Sequence, residues 1–185
     1  MSISNIDLEK LRNKAICLHS NAEIEEALDE MATAITKKLA NSQPIFLCIV
    51  LGALVPFGQL MPRLKFPLEM DYLHLTRYGD KQKGGKELLW VVKPSKPLKG
   101  RTVVIVDDIL DEGVTLARAV DFCYKEEAKE VFTAVVLNKK KARLEGGLQK
   151  PDFYGLNIED KFVFGYGLDY KGFWRNLDAI YVVPD

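Results

Sequence analysis

Four carboxylates fall within six residues of this chain, in the run Asp107-Asp108-Ile109-Leu110-Asp111-Glu112, and Gly113-Val114-Thr115 follow at once. Each part has a chemical use. Adjacent Asp107 and Asp108 can accept hydrogen bonds from two vicinal hydroxyls, or hold a hydrated Mg2+ beside them. Gly113 lets the backbone approach a ligand closely. Amide hydrogens at the turn and at the start of a following helix form an anion site, to which the Thr115 hydroxyl can add a donor. A vicinal diol with a phosphate close by describes ribose 5-phosphate. The plain alternative is an acidic helix N-terminus, stabilised by the macrodipole and otherwise idle. The whole pattern, set behind an apolar strand, favours the site over that alternative. No GxxxxGKS or GxxxxGKT loop occurs, which weighs against a nucleoside-triphosphate enzyme.

The elements that must hold this run are legible around it. Thr102 to Val106 is apolar and β-branched, as a central strand is, and places 107–115 as a loop at its carboxyl end. A helix is expected from about Leu116 to Glu126 and a buried strand over Val131 to Leu137, which makes a βαβ unit with a right-handed crossover. Upstream, Ser20 and Glu23 have capping-box spacing, and Ile24, Ala27, Leu28, Met31, Ile35 and Leu39 recur at helical spacing, so a helix is expected over about 21–41. Ile45 to Val50 is a continuous apolar run that suits a strand buried on both faces. Gly52 and Ala53 come next, then a short helix from Val55 to Leu64 and a strand over Met70 to Thr76. Arg77 to Lys86 reads as a loop and Leu88 to Val92 as the returning strand. Two βαβ units in series predict an α/β fold with a doubly wound parallel sheet, whose ligands bind outside the carboxyl ends of the strands. The tail, about 151–185, is expected to carry short strands at Phe162–Tyr166 and Ile180–Val183 and to form a small cap.

Bulk properties narrow the classes. With 185 residues the chain suits a single domain with a real core. Lys+Arg and Asp+Glu both total 26, so the basic excess of a general nucleic-acid binder is missing. Cys17, Cys48 and Cys123 are far apart with no metal-ligand spacing, as buried reduced thiols would be. The polar start, Met1 to Leu11, is not a signal peptide, and the longest apolar run, Ile45 to Phe57, is too short to span a bilayer. A soluble, cytoplasmic protein without nucleic-acid or membrane partners is expected.

Val103 to Thr115, VVIVDDILDEGVT, resembles the phosphoribosyl-pyrophosphate (PRPP) signature of the type I phosphoribosyltransferases. Lys161 to Tyr170, KFVFGYGLDY, with Trp174-Arg175-Asn176-Leu177 after it, resembles the C-terminal part of the hypoxanthine-guanine members. With Leu137-Asn138-Lys139 and Pro151-Asp152-Phe153, the match covers roughly 45–183. The resemblance implies one domain over 1–185, a core of about 40–150, and a hood built from about 1–20 and 151–185. It implies purine salvage: transfer of the phosphoribosyl group from PRPP to hypoxanthine or guanine, giving IMP or GMP and pyrophosphate, with Mg2+ as cofactor, in a homodimer or homotetramer.

Residue by residue, the resemblance implies that Asp107 and Asp108 bind the ribose hydroxyls, directly or through Mg2+, and that Asp111 is the general acid/base at purine N7. Asp111, Glu112, Gly113, Val114 and Thr115 would cradle the 5-phosphate. Gly52, Ala53 and Arg175 would contact pyrophosphate. Lys139 would donate to O6 of the base, Phe162 would stack on the ring, and the Val163 backbone would read its edge. Asp169, grouped with the purine-binding residues, would hold a second Mg2+ through pyrophosphate and water, and Arg77 and Tyr78 would belong to a closing lid. An ammonium at Lys139 suits an O6 acceptor and opposes the amino group of adenine.

Some positions depart from the family pattern. Gly52-Ala53 follow Leu51 where many members have Lys-Gly, so pyrophosphate contacts there fall to backbone amides. Glu112 and Val114 replace more usual Thr or Ser and polar residues, and Glu112 is expected to turn away from the phosphate. Arg77 stands where many have Ser or Thr. Ordinary roles remain for several residues: Lys139 or Lys140 as solvated charge, Phe162 as core, the 77–86 segment as a hairpin tip, His19 and His74 as structural or exposed. The rivals are a xanthine-preferring enzyme, a regulatory PRPP- or nucleotide-binding protein on the same fold, and a phosphoacceptor receiver domain. The last would carry its acid pair after the first strand rather than after Val106.

Overall fold

The alternation inside the apolar runs explains the layers of the molecule. The structure, a computed structural model, describes residues 4–78, 87–140 and 143–183. In chain order its elements are α1 (Asn5–Lys14), β1 (Ile16–His19), α2 (Asn21–Leu39), β2 (Ile45–Ile49) and α3 (Leu54–Leu60), the last running into a 3-10 turn at Met61–Arg63. Then come β3 (Glu69–Tyr78), β4 (Glu87–Val92), β5 (Thr102–Leu110), α4 (Val114–Lys125), β6 (Glu130–Lys139), β7 (Phe153–Ile158), β8 (Val163–Phe164) and β9 (Ile180–Val182). Among the described residues one sheet has the order β4-β3-β2-β5-β6-β7, and a smaller one has the order β1-β9-β8.

Successive residues of β2 and β5 leave opposite faces of the sheet. Phe46, Val104 and Val106 pack beneath α2, with Ile24, Leu28, Met31 and Ile35. Ile45, Leu47, Ile49, Val103 and Ile105 pack on the other side, with Leu116, Ala119 and Cys123 of α4. Helices on both faces are why these strands read as unbroken apolar runs. The expected capping box starts α2: Glu23 N donates to Ser20 Oγ and Ser20 N to Glu23 Oε2 (2.8 Å).

β2, β3, β5, β6 and β7 run parallel, and β4 is antiparallel to β3. The chain builds outward from β2 through β3 to β4 and, on the other side, from β5 through β6 to β7. β2 and β5 therefore flank the switch point, where a crevice opens beyond the strand ends. This is the expected α/β, doubly wound arrangement, with β1, β9 and β8 forming the small hood sheet.

Several elements differ from expectation. β5 does not stop at Val106 but runs to Leu110, because β6 continues beside it: Asp107 pairs with Val135, Ile109 with Leu137 and Leu110 with Asn138. The expected acidic loop 107–115 is therefore half strand. Phe153–Ile158, placed by expectation within the hood, is β7 at the edge of the main sheet. α1 and β1 had no counterpart among the expected elements. The expected strand 162–166 shortens to Val163–Phe164. No helix among the described residues is long and apolar enough to cross a membrane.

Candidate active site

At the switch point lies an open cleft of about 560 Å³. The carboxyl end of β5 supplies Asp107 and Asp108, the turn beyond it Asp111, Glu112 and Gly113, and the first turn of α4 Thr115. Gly52, just past β2, closes one side; Asp169 and Arg175 reach in from the hood segment. Nine sequence-predicted residues are thus brought together although they span 52–175. Glu112, expected to turn away, is one of the lining residues, and His74, expected to be structural or exposed, lines the cleft as well.

The acid pair is drawn into the protein at the end of β5. Asp107 is 8% exposed. Its Oδ1 accepts from the Asp108 amide (3.0 Å). Burial pushes the Asp108 carboxyl above its ordinary value, against the pull of a hydrogen bond with the Asp107 side chain, the Ile109 amide and the Arg175 charge. Behind the pair, burial raises the Cys48 thiol to about 12, with the charges of Asp107 and Asp108 adding to the effect, so this thiol is inert.

Gly113 caps α4 with φ +81° and no side-chain cap. Its carbonyl accepts from the Ala117 amide (3.0 Å) and the Leu148 amide (3.0 Å). A Cβ at Gly113 would lie 2.5 Å from the Leu148 carbonyl oxygen, so both conformation and space demand glycine. The first-turn amides of α4 are left to face whatever anion occupies the cleft.

Lys139 ends β6 and is 8% exposed. Its Nζ lies 3.3 Å from Asp111 Oδ2 and 3.6 Å from Asp160 Oδ1. Neither sequence spacing nor composition singled out Asp160. Phe162, two residues further on, is 57% exposed and meets Tyr170 edge-on at 5.8 Å, so it is not core. Val163 is buried in β8, paired with Val182. Arg175 donates from Nη2 to Asp169 Oδ1 (2.5 Å) and from Nη1 to the Gly167 carbonyl (2.6 Å), while Asp169 Oδ2 accepts from the Gly172 amide (2.7 Å). Lys139, Phe162 and Val163 lie outside the lining of the main cleft, Lys139 being joined to it through Asp111. Ala53 is fully buried and, like Val114, does not line it. Arg77 and Tyr78 end β3; their side chains and the whole of 79–86 lie outside the described residues.

Among the described residues no cluster of three or more His, Cys, Asp or Glu could by itself enclose a metal ion, so Asp107, Asp108 and Asp169 do not form a three-carboxylate cage. Their oxygens on one cleft nevertheless suit Mg2+, a hard cation that keeps several waters and takes one or two carboxylates together with phosphate oxygens.

Known proteins resemble this chain in sequence and in fold. The family model for the phosphoribosyl transferase domain matches residues 17–171. The chain is 30% identical to the hypoxanthine-guanine phosphoribosyltransferase of Bacillus subtilis (strain 168) over 177 residues, covering 96% of this chain and 94% of that one. It is 33% identical to the enzyme of the same name from Streptococcus pneumoniae (strain ATCC BAA-255 / R6), covering 91% and 92%. A crystal structure of a hypoxanthine phosphoribosyltransferase from Staphylococcus aureus shares the fold, with a TM-score of 0.86 at 22% identity over 99% of this chain and 97% of that one. The chain belongs to the phosphoribosyltransferase family.

Proposed function

We infer that this chain is a hypoxanthine-guanine phosphoribosyltransferase of purine salvage, moving the 5-phosphoribosyl group of PRPP to N9 of a 6-oxopurine and releasing pyrophosphate with IMP or GMP. The observation that carries the reading is the meeting of Asp111 and Lys139: a carboxylate and an ammonium 3.3 Å apart at the rim of a cleft that already offers an acid pair and an open helix N-terminus. Relatives of that name at 30% and 33% identity support it, and favour neither the xanthine-preferring nor the regulatory alternative.

Asp107 and Asp108 take the ribose hydroxyls, and the 111–115 turn with the α4 amides takes the 5-phosphate. Asp111 holds the proton at N7 of the purine, and Lys139 donates to O6. Phe162, an exposed aromatic, stacks on the ring, and the Val163 backbone reads the purine edge. Gly52 brings backbone amides to the pyrophosphate, with Ala53 behind it, and Arg175 adds charge, oriented by Asp169. Positive charge develops on the ribose as its C1–O bond breaks, and water must be kept from it. The segment carrying Arg77 and Tyr78 is the proposed lid. Asp107, Asp108 and Asp169 would hold Mg2+, which would supply electrostatic stabilisation of the leaving pyrophosphate. A homodimer or homotetramer in the cytoplasm is the accompanying proposal.

The test is a panel of bases with PRPP and Mg2+, watching nucleotide form. Hypoxanthine and guanine are expected to react and adenine, uracil and orotate to stay inert. Asp111→Asn should lower kcat at least tenfold with PRPP binding nearly unchanged, since a general base contributes roughly 10²–10⁴. Unchanged turnover removes Asp111 from the mechanism.

A further inference from the structure

The Arg143 guanidinium sits where the ends of β5 and β6 converge. Nη1 donates to the carbonyls of Leu110 (3.0 Å) and Asp111. Nη2 donates to Asn138 Oδ1 (2.6 Å) and to the Lys139 carbonyl (2.7 Å). Nε reaches the Gln149 carbonyl at 3.4 Å. Asn138 passes the link outward, its Nδ2 donating to Asn157 Oδ1 (2.8 Å) on β7. One rigid cation thus engages the last residues of two strands and, through Asn138, touches a third. Burial pulls the Arg143 pKa down, opposed by the nearby Asp111 charge.

Two of its acceptors are the main-chain carbonyls of Asp111 and Lys139, the residues whose side chains meet at 3.3 Å. The parallel ladder does not do this work on its own: the last β5–β6 pair is Leu110 with Asn138, one residue short of both. Beyond that pair the backbone of Asp111 turns into the phosphate loop, and Arg143 is what ties it back to Lys139. On a 6-oxopurine, N7 and O6 lie side by side on one edge. Groups that read them together must therefore keep a fixed mutual spacing.

We propose that Arg143 is a positioning residue for phosphoribosyl transfer: it clips the Asp111 and Lys139 backbones together so that the N7 base and the O6 donor meet the purine as one unit. The proposal rests on the roles assigned above to those two residues. Arginine is required rather than lysine, because the acceptors lie around a planar fork that a single ammonium cannot match.

The experiment compares Arg143→Lys, Arg143→Gln and Arg143→Ala, alone and combined with Asp111→Asn. Expected for the single variants is a loss in kcat on the order of tenfold to a hundredfold, the cost of misplacing a reacting group by about 1 Å. PRPP affinity should fall by less than kcat does, since the clip reaches the phosphate loop through the Asp111 carbonyl alone, whereas a lost substrate contact would weaken binding as much as turnover. The kcat pH profile should change shape where Asp111→Asn also changes it, and the preference for hypoxanthine over adenine should fall. Combined with Asp111→Asn, an Arg143 variant should add little further loss, because two residues acting as one unit are not additive. A merely structural arginine predicts the opposite: lower melting temperature, an unmoved pH profile, and losses that multiply with Asp111→Asn. If Arg143→Ala does not fold, the lysine and glutamine variants, which keep the three-carbon stem and a polar end, decide the matter. Normal kcat and pH profile in a folded Arg143→Lys overturn the proposal provided Asp111→Asn is slow. Should Asp111→Asn itself be fast, the assignment of Asp111 fails instead, and the clip fails with it.

Discussion

A Cβ placed on Gly52 would lie 2.1 Å from Oδ2 and 2.7 Å from Cγ of Asp108. The backbone leaving β2 and the second acid of β5 therefore occupy the same corner of the cleft, and the missing side chain is what leaves room for the carboxylate. Gly167 repeats the device from the hood: its own Cβ would come within 2.1 Å of the Gly52 carbonyl oxygen. The backbones after β2 and in the hood loop and the Asp108 side chain meet in one corner because glycine stands at both backbone positions.

Gly52→Ala should accordingly act through Asp108. The carboxylate must swing away, so kcat/KM with PRPP should drop on the order of a hundredfold, as a displacement of about 1 Å can cost. The variant should still fold, because the clash falls on a side-chain end rather than on backbone. Steady-state kinetics beside a thermal melt separates the two effects. A variant with normal kcat/KM shows that the position of Asp108 does not matter.

Asp108→Asn should make the empty protein more stable while weakening its hold on PRPP. Burial raises the Asp108 carboxyl above its ordinary 3.8, so the native state binds the proton more tightly than the unfolded chain does. Stability is then greatest below the unfolded value and falls as the pH rises through the raised native one. Asparagine has no such proton to lose. The melting-temperature advantage of the variant should thus grow from pH 4 to pH 8 in metal-free buffer. An advantage of equal size at both pH values would sink the account.

Lys139→Gln should erode the preference for 6-oxopurines over adenine by at least tenfold, because an amide can turn to accept from an exocyclic amine where an ammonium only donates. The same change removes the cation between Asp111 and Asp160. The ratio of kcat/KM for hypoxanthine and adenine is the measurement, and an unchanged ratio moves O6 recognition to another residue, Lys140 first.

Much of this site was legible along the chain because its parts are local. The apolar, β-branched residues 102–106 announce a strand, the acids and Gly113 announce a ligand turn, and the Ser20–Glu23 box announces the start of α2. Each signal rests on neighbours within a few residues, which is the range over which strand alternation, helical period and capping act. β7 escaped notice for the same reason. Gly155 and Asn157 interrupt its apolar pattern, and that glycine is explained only by its tertiary neighbours in β6 and α2, since a Cβ there would come within 3.0 Å of the Val136 carbonyl oxygen and 3.3 Å of Ala27 Cβ.

What the linear order left open is which distant groups touch. Lys139 finds Asp111 28 residues away, Arg143 reaches back 33 residues to the Leu110 carbonyl, and Gly52 meets Asp108. The extension of β5 to Leu110 depends on β6 lying alongside it. These meetings follow from strand order, from the crossover that sets β2 beside β5, and from how far each ladder runs before its strands part. Those are properties of packed layers, and local periodicity carries no record of them.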